Sequence, residues 1–249
     1  MIKYSAGCAV VLAMLVSPAY ADSVFGVYAG AGSWQQEYSG DVTSGVSNID
    51  VEDDLALEEE NNNMFYVALE HGVPALPNLR FQHVDISTSG DSVLTRSVDF
   101  NGSIFNLADS IVTDMNLTQT DLVIYYQLLD NVVSLDLGIA ARWVDGYVEV
   151  ASTAEASRAE FKGVLPMLYA NARVDLPFGG FWIGAQAQGL GYDGNSLIDA
   201  TAQVGWESKW GIGAEAGWRM FRMELEDYDE ITAAQFNVSG PYMALNFHF

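Results

Sequence analysis

The sequence ends in Pro241-Tyr-Met-Ala-Leu-Asn-Phe-His-Phe249, nine residues in which side-chain character alternates from one position to the next. Met243, Leu245, Phe247 and Phe249 lie on one face, and the residues between them form a mixed face. A period of two predicts a β-strand with one apolar face. The strand ends on an aromatic residue, and aromatic residues collect where a membrane β-barrel meets the lipid interface. The ending therefore favours a strand that closes a barrel in a bilayer.

The beginning of the sequence has the pattern of an export signal. A basic start precedes an apolar run over 6–16, and Ala19-Tyr20-Ala21 is an A-x-A cleavage site. We therefore predict a Sec signal peptide over 1–21 and a mature barrel domain over 22–249. Cys8 would be removed with the leader, so the mature chain would contain no cysteine and no disulfide.

The composition argues against several other protein classes. Half of the sequence is hydrophobic, yet 33 Asp and Glu residues outweigh 10 Lys and Arg residues. Disordered acidic chains lack this apolar content, and no apolar run of the mature part reaches the roughly 18 residues that a membrane helix needs. High apolar content without long runs indicates alternating strands. The charge argues against nucleic acid as a partner, because a phosphate-binding surface needs a patch of Lys and Arg.

Alternation divides the mature chain into ten predicted strands. They cover 23–37, 62–72, a stretch from 78, a stretch from 117, 133–143, 161–176, a stretch from 181, 198–206, 210–220 and the closing stretch. The predicted fold is an all-β, transmembrane, antiparallel up-and-down β-barrel of about ten strands, with eight or twelve strands left open. Short turns follow every second strand, and the acidic segments 39–60 and 224–230 are predicted as solvated loops. This asymmetry predicts periplasmic turns and extracellular loops.

The stretch between 87 and 116 allows two interpretations. Asn101-Gly102 between apolar residues is a hairpin signal. One interpretation therefore extends the third and fourth strands beyond the membrane until they meet at this turn. The alternative is a short helix over 104–113.

Several short motifs resemble a family of Gram-negative outer-membrane β-barrels from marine γ-proteobacteria. The motifs are Leu76-Pro77-Asn78, Thr120-Asp121 with Tyr125-Tyr126, Leu129-Asp130-Asn131 and Leu135-Asp136-x-Gly138. The resemblance implies an outer-membrane barrel, distantly like the small OmpA/OmpW-type barrels, and it implies no activity.

The closing strand is similar to the C-terminal signal by which outer-membrane barrels are recognised for assembly. The candidate assembly signal consists of Met243, Leu245, Phe247 and Phe249. The resemblance therefore implies the barrel assembly machinery and periplasmic chaperones as partners, together with outer-membrane lipid and lipopolysaccharide.

Charged side chains on the inward faces of the predicted strands form a candidate lumen network. Pairs of opposite charge could fill the narrow interior of a ten-stranded barrel. We therefore expect a plugged lumen with little or no conductance. The network comprises Asp121, Asp136, Arg142, Arg173, Asp175, Glu215 and Arg219.

The positions of the histidines argue against catalysis. His71, His83 and His248 lie near a predicted periplasmic turn or the C-terminus. The outer rim would then lack a general base that titrates near neutral pH. We expect no enzyme and no cofactor, and no metal site, because the acidic segment 50–60 lacks the glycine and the acid spacing of a calcium loop.

The leading functional expectation is a non-enzymatic barrel of the outer membrane that serves envelope integrity, surface interaction or weak small-solute passage. The alternative is a narrow channel for small or cationic solutes, drawn by the acidic loops. An outer-leaflet lipid-modifying enzyme is the third candidate.

Overall fold

A computed structural model describes residues 25–45, 47–73, 75–228 and 231–249. The predicted signal peptide over 1–21 lies outside the described residues, as does Pro74 of the predicted turn after the second strand. The strands are β1 (Phe25–Ser44), β2 (Ser47–Asp50), β3 (Glu60–His71), β4 (Asn78–Val84), β5 (Ser87–Val93), β6 (Val98–Phe100), β7 (Ser103–Phe105), β8 (Ser110–Asn116), β9 (Gln119–Asp130), β10 (Val133–Ala151), β11 (Ala156–Asp175), β12 (Phe181–Tyr192), β13 (Asn195–Glu207), β14 (Ile212–Tyr228) and β15 (Ile231–His248).

Ten of these strands close an antiparallel barrel in the order β1, β3, β4, β9, β10, β11, β12, β13, β14 and β15, with β15 paired again to β1. At the seam, Val27 and Phe249 exchange two backbone hydrogen bonds of 2.9 Å. A closed barrel leaves none of its ten strands with an unpaired edge. The predicted all-β barrel of ten strands is confirmed.

The barrel strands are staggered against one another. Following the register once around the barrel leads from Val174 to Lys162 of the same strand, a shift of 12 residues. For ten strands this stagger corresponds to a tilt of about 40°. Residues that pair across the sheet therefore lie at different heights along the barrel axis. We call the end that holds Phe25 and Phe249 the terminal end, and the end that holds the hairpin 152–155 the distal end.

Exposed apolar side chains surround the half of the barrel that includes the terminal end. They alternate with inward polar residues along each strand, which is the pattern of a strand with lipid on one side. We call this surface the outer belt. It comprises Phe25, Phe65, Val67, Leu69, Leu79, Phe81, Leu122, Ile124, Leu137, Ile139, Trp143, Val164, Leu168, Ile183, Ile198, Val204, Trp206, Ile212, Trp218, Met220, Met243, Leu245, Phe247 and Phe249.

The polarity of the two strand faces exchanges beyond the belt. In β10, Ile139 points outward and Asp136 inward, whereas farther along the same strand Glu149 points outward and Val150 inward. Trp143 marks the change. The same exchange occurs in β1, β11, β14 and β15. The strands therefore continue into a distal part whose apolar residues face inward.

Inward apolar side chains fill the distal end. We call them the distal core, which comprises Ile49, Val51, Leu55, Leu94, Val98, Phe100, Phe105, Ile111, Met115, Val150, Ala159 and Phe236. A cavity of about 40 Å³ remains there, lined only by apolar residues. The distal end therefore has the interior of a small globular protein.

The prediction of a solvated loop over 39–60 is wrong. β1 continues to Ser44, β2 follows, and residues 51–59 enter the barrel so that Val51 and Leu55 are buried. Asp50, one of the acids on which the prediction of a solvated loop was based, instead turns the chain inward. The carboxylate of Asp50 accepts the backbone N–H groups of Glu52 at 2.8 Å and Asp53 at 2.7 Å, which fixes a tight turn.

The predicted limits of several strands are also too short. β10 continues past Trp143, and β14 continues past Met220 as far as Tyr228. The acidic segment 224–230 is therefore mostly strand rather than loop, with 229–230 outside the described residues. Glu224 and Glu226 lie on the outward face of β14, and Met223 on the inward face packs against the buried core.

The hairpin interpretation of 98–105 is confirmed and the helix over 104–113 is wrong. Asn101 and Gly102 both have positive φ, 50° and 82°, as a two-residue turn between antiparallel strands requires. β5 and β8 pair as distal continuations of β4 and β9, with the β6–β7 hairpin between them. Among the described residues no helix is long and apolar enough to cross a membrane.

Candidate functional site

A buried chain of charges crosses the lumen from β9 to β14. Arg142 donates to both oxygens of Asp121, at 2.8 and 2.7 Å, and to Asp199 at 2.8 Å. Arg219 donates to the other side of Asp199, at 3.0 and 2.6 Å. Asp199 is therefore held between two guanidiniums. The side chain of Arg142 is 0% exposed, and none of the other three is more than 5% exposed.

Two neighbours complete this layer. Gln82 donates to Asp121 at 2.7 Å. The guanidinium of Arg219 lies 5.2 Å from the ring of Trp34, and the indole N–H of Trp34 donates to the carbonyl of Gly240 at 3.2 Å. We call this set the charge layer. It consists of Trp34, Gln82, Asp121, Arg142, Asp199 and Arg219. Two carboxylates balance two guanidiniums, so their charges are paired as burial demands.

The lumen is closed twice. The charge layer blocks it near the distal edge of the outer belt, and the distal core fills it beyond that level. Between the charge layer and the terminal end, however, the lumen widens into a polar cavity of about 370 Å³. We call this cavity the vestibule. It opens at the terminal end beside Asp130, Asn131 and His248.

The seven charged residues predicted as one lumen network fall into separate groups. Asp121, Arg142 and Arg219 belong to the charge layer. Arg173 and Asp175 pair at 2.9 Å near the terminal end. Asp136 and Glu215 line the vestibule, and among the described residues neither has a cationic partner within salt-bridge distance. The structure therefore brings only part of the predicted set into ion pairs.

Asp136 and Glu215 bind polar side chains instead. Asp136 accepts the amide of Asn171 at 2.9 Å. Glu215 accepts the phenol of Tyr66 at 3.4 Å and the amide of Asn246 at 3.3 Å.

The predicted network omits other charged residues of the lumen. Asp199 links the two arginines of the charge layer, and Glu207 forms an ion pair with Arg173 at 3.6 Å and a hydrogen bond with His248 at 3.1 Å. Both share the inward parity of Gln203 on β13, which was the available signal. Arg80 and Glu70 line the vestibule. Arg80 was obscured because β4 has only seven residues and alternates poorly.

The predicted position of His83 near the terminal end is wrong. His83 is level with Thr120, the register partner of Trp143, at the distal edge of the outer belt. His83 is the sixth residue of β4, so it lies about 16 Å along the strand from Asn78, which follows the turn. His71 and His248 do lie at the terminal end, where they pair with Phe25 and Tyr28 of β1.

Two hydrogen bonds connect His83 to its neighbours on the outer surface. Its Nδ1 lies 2.8 Å from the hydroxyl of Thr120, and its Nε2 lies 3.2 Å from a carboxylate oxygen of Asp85. A hydroxyl, an imidazole and a carboxylate in this order are the parts of a nucleophile–base–acid relay. The side chains of His83 and Asp85 are 29% and 36% exposed.

The candidate assembly signal lies on the outside of the closing strand. Met243, Leu245, Phe247 and Phe249 are 69%, 62%, 42% and 49% exposed. All four belong to the outer belt. In the part of the chain that the structure describes, no group of three His, Cys, Asp or Glu residues is arranged to hold a metal ion.

No protein-family model matches the chain, and no curated protein matches it. Among solved structures, the transport unit of the autotransporter AIDA-I from Escherichia coli has 8% identity and a TM-score of 0.42, covering 94% of this chain and 92% of that chain. The Pseudomonas putida toluene transporter TodX has 7% identity and a TM-score of 0.37, covering 92% and 91%. OccAB2 from Acinetobacter baumannii has 6% identity and a TM-score of 0.25, covering 90% and 97%. These similarities are too weak to transfer a function.

We predict that Asp199→Asn lowers the free energy of unfolding by about 3 kcal/mol, because it leaves a buried guanidinium without its carboxylate. Urea unfolding of the barrel in lipid vesicles, followed by tryptophan fluorescence, measures this change. Asp145→Asn is the matched control, since Asp145 forms a fully exposed pair with Lys162, and exposed pairs contribute little to stability. Equal effects of the two substitutions would show that the charge layer is not a structural link.

Proposed function

We propose that this chain is an integral β-barrel of the Gram-negative outer membrane that neither conducts solutes nor catalyses a reaction. It presents a folded acidic structure at the cell surface. The observation that supports this function best is the double closure of the lumen, by the charge layer and by the distal core. A channel would need a continuous polar path, and the apolar distal core interrupts it.

The outer belt supports the membrane location. In β10 the outward apolar positions extend over the eleven residues from Val133 to Trp143, the length that a tilted strand needs to cross a bilayer. We propose that the terminal end faces the periplasm and the distal end faces outward, next to the lipopolysaccharide. The exposed apolar face of the closing strand is the surface that the assembly machinery and periplasmic chaperones would recognise.

The outward face of the distal part is strongly acidic. In a role in envelope integrity or surface interaction, this face would contact the partners. Its cations are mostly paired on the same surface, as in Lys162 with Asp145 at 2.8 Å, a contact that raises the pKa of Lys162. A net negative surface of this kind repels other anions and attracts cations. Its exposed acids are Glu37, Asp41, Glu52, Asp53, Glu58, Glu59, Asp91, Asp114, Asp145, Glu155, Glu160, Asp193 and Glu226.

The closed lumen predicts that the purified protein gives no porin-like current steps in planar bilayers. Arg142→Ser with Arg219→Ser should leave the current unchanged, because the distal core still blocks the path. Single-channel recording at high salt measures both proteins, and an open porin from the same preparation is the control. Steady large conductance of the unmodified protein would establish the alternative, a narrow channel for small or cationic solutes.

The proposed orientation predicts which end is accessible on intact cells. Single cysteines at Ala154 in a distal hairpin and at Ala75 in a terminal turn are both on exposed residues. A membrane-impermeant maleimide should label Ala154→Cys on whole cells and Ala75→Cys only after the outer membrane is opened. Labelling in the reverse pattern would mean that the distal part faces the periplasm.

An outer-leaflet lipid hydrolase is a second candidate, favoured by the relay of Thr120, His83 and Asp85 at the edge of the belt. In the proposed orientation this edge lies at the level of the lipid ester bonds. If the relay is catalytic, purified protein releases fatty acid from phospholipid, and His83→Gln and Thr120→Val abolish the release. Thr118→Val, two residues before Thr120, is the control. Absence of release from the unmodified protein would leave the non-enzymatic proposal standing.

A further inference from the structure

Aromatic rings in the vestibule are covered by cationic or imidazole side chains of the protein itself. The guanidinium of Arg80 lies 4.0 Å from the centre of the Tyr66 ring. That of Arg173 lies 4.5 Å from the Trp182 ring. The imidazole of His248 stacks on Tyr28 with ring centres 4.0 Å apart. A cation over an aromatic face is attracted by the ring's negative charge distribution.

The pair formed by Tyr125 and Tyr169 differs from these. Their ring centres are 5.7 Å apart, and among the described residues no guanidinium or ammonium lies over either face. Both are register partners of Gly138, one on each side. A Cβ atom on Gly138 would lie 2.7 Å from Cβ of Tyr125, so a glycine is required there. The missing side chain lets the two rings meet across the middle strand.

Unpaired carboxylates flank the tyrosine pair. Asp136 lies two residues from Gly138 on the same inward face and is 5% exposed. Its Oδ2 accepts Asn171, but its Oδ1 has no partner among the described residues. Glu70 accepts the phenol of Tyr125 at 2.7 Å. Buried polar atoms normally have a partner, so the free oxygen of Asp136 is a reason to look for a ligand.

The unpaired charges of the vestibule are mostly negative. Arg173 and His248 pair with Asp175 and Glu207. Arg80 is the one lining cation that forms no ion pair in the described part of the chain; its guanidinium lies over the Tyr66 ring and makes a 3.4 Å contact to Gln82. It faces four carboxylates that also lack an ion pair there. They are Glu70, Asp130, Asp136 and Glu215.

We propose that the vestibule binds a small organic cation, an alkylammonium or alkylguanidinium, beside Tyr125 and Tyr169 with Asp136 as its anchor. A cation that carries N–H groups satisfies the free oxygen of Asp136 while its alkyl part contacts the rings. The vestibule, at about 370 Å³, has the size of a small-molecule pocket. A bare metal ion fits less well, because no metal-holding group exists among the described residues. This inference does not depend on the proposed surface function.

The test is titration of the barrel, in lipid nanodiscs, with 1,4-diaminobutane by isothermal calorimetry. We expect saturable binding that is at least tenfold weaker in Asp136→Asn and in Tyr169→Leu. Asp145→Asn removes an equal charge from the outer surface and should leave the affinity unchanged. Heat-modifiable migration on gels and unfolding curves establish that each variant is folded before it is titrated.

Two parallel titrations identify other causes of binding. If Mg²⁺ binds as tightly as the diamine and both are insensitive to Asp136→Asn, the acids only gather counter-ions and the proposal is wrong. If glutamate binds and the diamine does not, Arg80 is the anchor and the site takes anions, which also overturns the proposal. Absence of saturable diamine binding to the unmodified protein does so directly.

Discussion

Each long strand of this barrel has one part whose outward face is apolar and one part whose outward face is polar. Over the outer belt its outward residues are apolar and its inward residues polar, and past Trp143 the assignment is reversed. Because the pleat alternates without interruption, the reversal changes which parity carries the apolar residues and leaves the backbone unchanged. The rest of the structure follows from this. The belt can face lipid, the charge layer lies at the level of the exchange, and the distal core has the apolar interior that water outside requires.

The charge layer and the vestibule show two ways to treat charge inside a narrow barrel. Where the wall is tight, Asp199 and its two arginines are buried and form ion pairs with one another. Such pairs contribute little net stability but are costly to break, so the layer is held together by the penalty for separating them. Where the lumen widens, carboxylates such as Glu215 make only long contacts with neutral side chains. The first arrangement closes the lumen, and the second leaves it receptive to a ligand.

The sequence predicted the number of barrel strands because a period of two is a strong local signal. The prediction failed where the apolar residues move from one face of the strand to the other. Strand ends were placed at Trp143 and Met220 because the apolar residues change parity there, although the alternation itself continues. The acids around Asp50 were interpreted as solvated, whereas Asp50 forms a turn that carries Val51 and Leu55 inward. A charge count describes the surface of a segment and gives no information about which residues lie beneath it.

The candidate site was harder to predict because it depends on how the strands are staggered. Arg142 and Arg219 were assigned to the lumen from parity alone. Their link through Asp199 depends on the relative heights of β10, β13 and β14. The sequence of a single strand does not contain that information. His83 was misplaced for a simpler reason: it lies five residues beyond Asn78, and each strand residue rises about 3.3 Å. Parity is a local property, and the stagger is a property of the closed barrel.

The exchange of polarity also limits how the gene can change. An insertion or deletion of one residue between Val133 and Val150 would turn every following side chain to the opposite face. Asp145 and Glu149 would then enter the distal interior, or Leu135 and Leu137 would enter the lumen, according to which hairpin absorbed the shift. Losses and gains of two residues keep the parity. Length variation among descendants of this chain should therefore be even-numbered within the strands and unrestricted only at hairpin tips such as 152–155.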